Sequence, residues 1–387
     1  MDKVRIGIVG LGGMGSSHAG YLMGGQVPQA QLTAVCDVNP ARMDYAKDKW
    51  GDSVARFDNH VELLESGLVD GVLIATPHYF HPPVAIDAFA RGQHVLSEKP
   101  PGVYTRQVRE MNEAAQASGL VFSVMFNQRT AGHNQKLREL VASGELGEIR
   151  RVVYIINNWF RAQSYYDSGG WRATWAGEGG GVLMNQCPHN LDLWQWFCGM
   201  PSRVRAFIRF GRYHDIEVDD DVTAYVEYPN GASGVFLTST GECPGTNRLE
   251  LSTDRGKVVM EHGQITFWRS RVSVSEFCRT YKAGFGEPEV WKCEVPPGRR
   301  GDDHAEVTRN WCNAILKGTP LLVPGAEGLN TVQLNNAMLL SAWTDAWVDL
   351  PVDEEQYLTA LNQRIAESTV RKTAGGQAMD VAGTFNT

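Results

Sequence analysis

The sequence predicts an α/β plus α+β protein, in which a doubly wound parallel sheet is followed by a domain with a large, open, mostly antiparallel sheet. Two observations support this fold class. Over roughly residues 1–123, short apolar runs alternate with helical patterns, as in parallel strands that are joined by helices. After about Phe126, period-two and β-rich runs follow one another with little helix between them. At 387 residues, the chain is long enough for two such domains.

The first half contains five apolar runs of the kind expected for strands that are buried on both faces. Segments with helical spacing separate them, for example ARMDYAKDKW and HPPVAIDAFARG. In chain order, the predicted strands are VRIGIVG, QLTAVCD, VDGVLIAT, HVLSEK and LVFSVMF.

The second half predicts seven strands and two helices. Tyr228-Pro229-Asn230-Gly231 and Asp254-Arg255-Gly256 are typical of the turns between paired strands, because such turns need positive φ angles. The strands are RRVVYIINNWF, SRVRAFIRFGRY, DVTAYVEY, ASGVFLTST, NRLELST, GKVVMEHG and QITFWRSRVSV, and the helices are DDHAEVTRNWCNAILKG and GAEGLNTVQLNNAMLLSAWTDAW. We therefore expect domains at 1–125 and 126–367, followed by an aperiodic tail at 368–387 that is mobile or contacts a partner.

Composition excludes several classes of protein. A net charge of −8 argues against nucleic acid or an anionic membrane as the main partner. The seven cysteines include no C-x-x-C pair, which is typical of reduced thiols in a cytoplasmic protein. No segment resembles a signal peptide or a membrane span. We expect no metal site, and we interpret HDIEVDDD at 214–221 as a solvated strand entry.

A glycine-rich turn connects the first predicted strand to a predicted helix. Gly10, Gly12 and Gly15 form the pattern G-x-G-x-x-G, in which the glycines allow a tight turn, close approach of a pyrophosphate and close packing of helix on strand. Gly13 and Met14 complete the turn at the helix N-terminus, where the helix dipole favours phosphate. The turn therefore predicts a dinucleotide site in a Rossmann domain.

Asp37 ends the second predicted strand, 22 residues after Gly15. A carboxylate at this position accepts hydrogen bonds from the ribose hydroxyls of NAD and repels the 2′-phosphate of NADP. The next residue, Val38, is no phosphate ligand, although Arg42 could reach one. We therefore expect NAD as the cofactor, with NADP less favoured.

Two further polar segments are candidates for the reaction centre. Lys99 follows the fourth predicted strand, and ligands of open α/β sheets lie beyond the carboxyl ends of the strands. In GGGVLMNQCPHNLDLWQW, the spacing of Asn185, His189 and Asp192 would align them on one face of a helix. Pro188 implies that the helix either begins close to that residue or kinks there.

Together these segments resemble the glucose–fructose oxidoreductase/inositol dehydrogenase (Gfo/Idh/MocA) family. The matching stretches are GLGGMG at 10–15, ATPHYFH at 75–81, EKP at 98–100 and GGGVLMNQCPHNLD at 179–192. Their order and spacing match, and the two-domain pattern extends over roughly residues 3–350.

The resemblance implies a role for each matched residue. His189 would be the family's catalytic histidine, and Lys99 would touch both the nicotinamide ribose and the substrate hydroxyl. Asn127 would line the same cleft. The resemblance further implies cofactor-binding positions at Thr76, Pro77, His81, Glu98, Lys99 and Asn127.

Position 185 departs from the family pattern. Many members carry an aspartate four residues before the histidine, and this chain has Asn185. An amide exchanges hydrogen bonds with a sugar hydroxyl but does not titrate. We therefore interpret Asn185 as a residue that orients the substrate. Asp192 is interpreted as a structural carboxylate that could orient His189 or Arg172.

The segment 157–181 is dense in aromatic residues and glycine and contains two arginines. Aromatic rings pack on the apolar faces of sugars, and arginine donates hydrogen bonds to their hydroxyls. The candidate substrate contacts in this segment are Trp159, Arg161, Tyr165, Arg172 and Trp175.

Three functions are compatible with these residues. The leading hypothesis is NAD-dependent oxidation of a ring secondary hydroxyl of a sugar, glycoside or cyclitol, with His189 as base and Lys99 stabilising the alkoxide. The alternatives are a glycosidase that recycles NAD through transient oxidation and elimination, and a non-catalytic dinucleotide-binding regulator. The resemblance also implies a homodimer or homotetramer that forms through the sheet of the second domain.

Overall fold

The computed structural model describes residues 2–298, 303–370 and 372, and its first sheet has the predicted parallel topology. The strands are β1 (Val4–Val9), β2 (Ala30–Cys36), β3 (Ala55–Phe57), β4 (Gly71–Ile74), β5 (His94–Ser97) and β6 (Phe122–Val124). All are parallel, in the spatial order β3-β2-β1-β4-β5-β6. The edge strand β3 was not predicted, because its three half-buried residues form no apolar run.

Five helices follow strands of this sheet. They are α1 (Gly13–Met23), α2 (Pro40–Trp50), α3 (His60–Glu65), α4 (His81–Ala90) and α5 (Thr105–Ser118). Alternate residues of the strands enter cores on opposite faces, because successive side chains of a strand point to opposite sides. Ile8 packs on the α1 side, whereas Val9 packs with α4 and α5. Both faces are therefore covered, as a parallel sheet requires.

Within the described residues, the second sheet has nine strands and is antiparallel except for one pair. In chain order, its strands are β7 (Ile149–Ile156), β8 (Arg203–Phe210), β9 (Asp219–Glu227), β10 (Ser233–Ser239), β11 (Asn247–Thr253), β12 (Gly256–Glu261), β13 (Gln264–Ser270), β14 (Val290–Val295) and β15 (Val348–Asp349). Their spatial order is β14-β13-β12-β11-β7-β10-β9-β8-β15, and β7 and β10 are parallel. The open, mostly antiparallel sheet is thus confirmed, with two unpredicted strands, β14 and β15, at its edges.

The remaining helices are α6 (Gly132–Ala142), α7 (Gln163–Asp167), α8 (Val182–Asn185), α9 (Pro188–Cys198), α10 (Val274–Thr280), α11 (His304–Lys317), α12 (Gly328–Thr344) and α13 (Glu354–Glu367). Val274 begins a helix, so the last predicted strand extends too far at its C-terminal end. In the turn at 228–231, Gly231 alone has a positive φ angle, whereas both Asn230 and Gly231 were expected to have one.

Helix α11 packs against the first sheet rather than the second. Its Trp311 is completely buried in the core that contains Ile6 and Ile8. A Cβ atom at Gly71 of β4 would lie 2.8 Å from the Trp311 ring, so the contact is direct. Helix α11 therefore returns to the first domain, although the sequence placed it in the second.

Two further predictions concern the C-terminal tail and the absence of a membrane span. Of the predicted tail at 368–387, residues 371 and 373–387 lie outside the described residues. No helix within the residues that the structure describes has the length and apolar character needed to cross a membrane.

A buried ion pair connects the two domains beside the end of β6. Arg129 is completely buried, and its Nε and Nη2 atoms lie 2.7 and 2.5 Å from the carboxylate oxygens of Asp192 on α9. Its Nη1 donates to Glu327 at 2.6 Å. Burial raises the pKa of Asp192, and the guanidinium opposes that shift. Asp192 is thus structural, as expected, but it is bound to Arg129 rather than to His189 or Arg172.

We expect Asp192→Asn to lower the free energy of unfolding by about 3–5 kcal/mol, because it leaves the buried Arg129 charge poorly compensated. Urea denaturation followed by circular dichroism measures this loss. The exposed pair between Arg203 and Glu227 is the matched control. Glu227→Gln should cost at most about 1 kcal/mol, since exposed ion pairs contribute little. Equal losses in the two variants would contradict this role for the buried pair.

Candidate active site

The glycine turn between β1 and α1 has the shape that a dinucleotide requires. Gly10 has φ 93°, and a Cβ atom there would lie 2.6 Å from the carbonyl oxygen of Ala75. A Cβ atom at Gly15 would lie 1.9 Å from the oxygen of Gly10, so helix and turn are in contact. At Gly12, a Cβ atom would meet no described atom within 4 Å. The open space at Gly12 is where a pyrophosphate would approach the backbone.

The neighbouring groups also fit a nucleotide. Gly13 and Met14 are the first residues of α1, and no side chain of the described residues caps the helix at Gly12. Backbone N–H groups at such an end favour a phosphate. Asp37, at the end of β2, accepts a hydrogen bond from the Leu11 N–H at 2.7 Å. The Asp37 carboxylate therefore lies beside the turn, as the motif predicted.

Thr76 and Pro77 follow β4 on the same edge of the sheet. The Thr76 hydroxyl is buried and has no hydrogen-bond partner within the described residues, so a bound ligand could satisfy it. Both ring nitrogens of His81 lie 2.7 Å from backbone oxygens, those of Thr76 and Pro100. His81 therefore holds two loops together, and its expected contact with the cofactor stays a prediction.

Glu98 is buried and is engaged by its neighbours. His18 Nε2 lies 2.6 Å from its Oε1 atom, and the Lys99 N–H donates to its Oε2 atom at 3.1 Å. Burial opposes ionisation, but the hydrogen bond and charge of His18 lower the pKa of Glu98 to about 2. Glu98 therefore fixes the backbone of Lys99 beside helix α1.

Lys99 extends from the first domain to the second. Its Nζ atom donates to the backbone oxygen of Asn185, the last residue of α8, at 2.8 Å. Burial lowers the pKa of Lys99. His189 lies in the first turn of α9, and its ring packs edge-on against that of Phe126, next to Asn127. Burial and the Lys99 charge hold the pKa of His189 well below its ordinary value, so its imidazole is neutral.

Asn185, His189 and Asp192 do not lie on one helix, in contrast to the spacing argument. Helix α8 ends at Asn185 and α9 begins at Pro188, so the first interpretation of Pro188 is correct. Proline suits this position because the first helical N–H has no partner within the helix. Because the two helices are separate, the side chains of Asn185 and His189 are not constrained to one helix face.

Helix α8 is held in place by three glycines and a buried aspartate. Gly179 and Gly180 have φ angles of 81° and 158°, and a Cβ atom at Gly181 would lie 2.0 Å from the oxygen of Asp219. The Asp219 carboxylate accepts the N–H groups of Gly181 and Leu183 at 2.7 and 2.8 Å, and burial raises its pKa to about 7. Asp219 and Asp220 are completely buried, so the interpretation of HDIEVDDD as a solvated strand entry is wrong at these two residues.

Within the described residues, no group of three or more His, Cys, Asp or Glu side chains is placed to hold a metal.

Four of the five candidates from 157–181 form one cluster. Arg172 lies over the Tyr165 ring at 4.6 Å and donates to its hydroxyl at 2.9 Å. Arg161 lies 5.6 and 5.2 Å from the ring centroids of Trp159 and Tyr165. This cluster provides the rings and donors that a sugar would contact.

Trp175, the fifth candidate, is not placed for substrate contact. It is buried in the core of the second domain, where its ring packs against those of Trp343 and Phe210. Its prediction as a substrate contact is therefore wrong, because other protein side chains cover its ring. The spacing of aromatic residues in a loop does not separate core anchors from exposed rings.

The sequence interpretation missed two residues at the contact between the domains. Glu178 is 2% exposed, and the Asn185 amide donates a hydrogen bond to it. The Nδ1 atom of His78, from the loop after β4, lies 3.2 Å from the backbone oxygen of Glu178. Glu178 directly precedes the three glycines at 179–181, and this position in the sequence could have marked it as a candidate site residue.

Comparisons with known proteins agree with the fold and with an NAD-binding first domain. An oxidoreductase family model with an NAD-binding Rossmann fold matches residues 4–126, and the GFO/IDH/MocA C-terminal domain matches residues 134–259. Levoglucosan dehydrogenase from Pseudarthrobacter phenanthrenivorans is 23% identical over 396 residues, which cover 91% of this chain and 99% of that protein. Myo-inositol 2-dehydrogenase from Thermotoga maritima is 26% identical over 342 residues, covering 86% and 95%.

A solved structure gives the same result for the fold. The WlbA dehydrogenase from Bordetella pertussis, in complex with NADH and UDP-GlcNAcA, superposes with a TM-score of 0.76. It is 26% identical in sequence, and the alignment covers 91% of this chain and 100% of that chain.

We expect Gly12→Val to raise the Kd for NADH at least about tenfold, because the added methyl groups occupy the space that the pyrophosphate needs. The melting temperature should change little, since the Cβ atom meets no described neighbour. A fluorescence titration with NADH measures the binding. Gly20→Ala is the control, because its Cβ atom on α1 also enters open space and should leave the Kd unchanged. Equal Kd values for Gly12→Val and the native chain would contradict the assignment of this turn.

Proposed function

The chain belongs to the GFO/IDH/MocA family of NAD-binding oxidoreductases, and on that premise we propose that it is a dehydrogenase of ring hydroxyls. It would transfer hydride between a secondary hydroxyl carbon of a sugar, glycoside or cyclitol and NAD. The observation that carries this proposal is the hydrogen bond from Lys99 Nζ to the backbone of Asn185. This contact joins the edge of the cofactor domain to the segment that contains His189.

Oxidation of an alcohol needs a base for the hydroxyl proton and an acceptor for the hydride. NAD, when bound, supplies the acceptor. His189 is suited to be the base because its lowered pKa keeps the imidazole neutral. In the proposed step, the hydroxyl proton moves to the His189 ring, and the Lys99 ammonium stabilises the negative charge that develops on the oxygen. Low solvent exposure around these groups strengthens that interaction.

The proposed substrate class rests on the site cluster and on the relatives. Arg161 and Arg172 supply donors for hydroxyl groups, and Trp159 and Tyr165 supply ring faces. The relatives include dehydrogenases named for levoglucosan and myo-inositol. A cyclic polyol with several hydroxyl groups fits both observations.

We expect Lys99→Ala and His189→Ala each to lower kcat by about 10²–10⁴-fold, the usual contribution of a general base or a charge-stabilising group. Both variants should still bind NADH. Levoglucosan, myo-inositol and methyl glucosides are the substrates to screen, with NADH absorbance as the readout. Lys136→Ala and His60→Ala are controls, because these residues form ion pairs elsewhere, with Glu139 and Asp87. Near-native kcat in either site variant would contradict the proposed roles.

The same assay separates the alternative functions. Net NADH formation supports the dehydrogenase. Release of a glycosyl leaving group without net NADH would favour the NAD-recycling glycosidase. NADH binding without turnover of any polyol would favour the regulator.

We also propose that the second sheet forms the interface of a homodimer or homotetramer. The face of the sheet opposite its helices presents Phe207, which is 62% exposed, beside Tyr225 on the neighbouring strand. Half-buried residues continue this surface on β7 and β10, namely Val153, Ile155, Val235 and Leu237. An apolar surface of this kind is costly to expose to water.

We expect Phe207→Glu to shift the native mass towards the monomer, because it places a charge within the proposed interface. Size-exclusion chromatography with light scattering measures the mass. Phe285→Glu is the control, since Phe285 is 98% exposed and lies outside the sheet. A monomeric native chain would contradict the proposed interface.

A further inference from the structure

We propose that Glu178 orients Asn185 so that its amide oxygen accepts a hydrogen bond from the substrate, and that Glu178 supplies the negative charge beside Lys99 that an amide at position 185 lacks. Glu178 is a positioning residue in this arrangement, because it contacts Asn185 and not the substrate. The inference rests on the proposed function, since it concerns a substrate hydroxyl beside Lys99 and His189.

The hydrogen bonds of Glu178 determine which way the Asn185 amide is turned. The Glu178 Oε2 atom accepts the Ala173 N–H at 2.6 Å, and its Oε1 atom accepts from Asn185 Nδ2. An ionised carboxylate only accepts hydrogen bonds, so the NH₂ group of Asn185 must face it. The amide oxygen of Asn185 then points away from Glu178.

That amide oxygen is available to a ligand. Asn185 is only partly buried, and within the described residues its Oδ1 atom accepts no hydrogen bond. The backbone oxygen of the same residue accepts from Lys99 Nζ. An acceptor beside this ammonium group is suited to the hydroxyl of a substrate that Lys99 also contacts. Asn185 thus presents an oxygen, as an aspartate would.

Glu178 also places a negative charge close to Lys99. Burial lowers the pKa of Lys99, and Glu178 is among the groups that oppose this shift. Burial raises the pKa of Glu178, against the charges of Arg172 and Lys99 and the hydrogen bonds from Ala173 and Asn185. Besides Glu178 and Arg172, the titratable or charged groups around Lys99 are Glu98, Arg161, Cys187, His78, His81, His189 and His304.

A purely structural role for Glu178 would be to neutralise Arg172, whose Nη1 atom lies 3.7 Å from the carboxylate. That role depends only on the charge of Glu178, whereas the proposed role also depends on which atom faces Asn185. Exchange of the acid and the amide between positions 178 and 185 separates the two roles.

The test compares Glu178→Gln, Asn185→Asp and the double variant. In Glu178→Gln, the new amide oxygen accepts from Ala173 and its NH₂ group faces Asn185, whose amide turns over and presents a donor to the substrate. We expect kcat/KM for levoglucosan or myo-inositol to fall by about 10²-fold, the usual scale for a misplaced reacting group. In the double variant, the new amide at position 178 donates to the new carboxylate at position 185. An oxygen then faces the substrate again, and we expect at least about tenfold of the loss to be recovered.

One further readout tests whether the charge of Glu178 acts on Lys99. Loss of the Glu178 charge should shift the basic limb of the kcat/KM profile to lower pH, because Glu178 raises the pKa of Lys99, and the double variant should reverse the shift. Glu217→Gln is the matched control. Glu217 also accepts a backbone N–H, that of Trp175, and this variant should leave kcat/KM unchanged.

A substrate-free measurement tests the contact itself. Asn185→Asp places two carboxylates side by side, which raises the pKa of the pair. A carboxyl group with a raised pKa in the folded state is destabilising once the pH exceeds its unfolded value, so the melting temperature should fall between about pH 4 and 8. The double variant holds one carboxylate and should lack this additional fall.

The outcomes separate this inference from the proposed function. If Lys99→Ala or His189→Ala keeps near-native turnover, or if no screened polyol reduces NAD, the proposed function fails, and the melting data alone then decide whether Glu178 faces Asn185. If those two variants lose turnover but the double variant is no better than Glu178→Gln, only the inference about Glu178 fails. Identical pH dependence of melting in Asn185→Asp and the native chain would also overturn it.

Discussion

The arrangement of the site depends on the buried ion pair between Arg129 and Asp192. A charge this deeply buried is costly unless its partner and its remaining hydrogen bonds are in place, so the pair tolerates little displacement. Arg129 belongs to the turn that leaves the first domain, and Asp192 lies one turn after His189 on α9. The pair therefore holds the histidine helix against the carboxyl edge of the parallel sheet, where the cofactor turn and Lys99 lie.

Contacts from the two domains complete the cleft. Lys99 reaches the backbone of Asn185, and the His78 ring reaches the backbone of Glu178. Lys99 and His189 remain only partly exposed to water, and burial lowers the pKa of both. A neutral imidazole beside a lysine with a lowered pKa is suited to proton transfer from an alcohol. Burial of Lys99 and His189 is unfavourable for their charged forms, and the same burial gives both side chains the lowered pKa values that the proposed proton transfer uses.

The sequence predicted the local features well and the long-range partners poorly. Five of the six parallel strands were visible because strands buried on both faces form continuous apolar runs. The edge strands β3, β14 and β15 lack that pattern, since these three strands are only partly buried. The glycine turn was predictable because each glycine answers a local steric demand. Asp192 was assigned the wrong partners, because Arg129 lies 63 residues before it in the chain.

By itself, the sequence determined the fold class, the dinucleotide turn with Asp37, and the two segments that contain Lys99 and His189. These features depend on residues near one another in the chain, where periodicity and turn geometry are local properties. Only the tertiary structure decided that Trp175 is a core residue, that α11 packs on the first sheet, and that Glu178 faces Asn185. Each of these depends on which surfaces meet when the domains pack, and spacing along the chain does not contain that information.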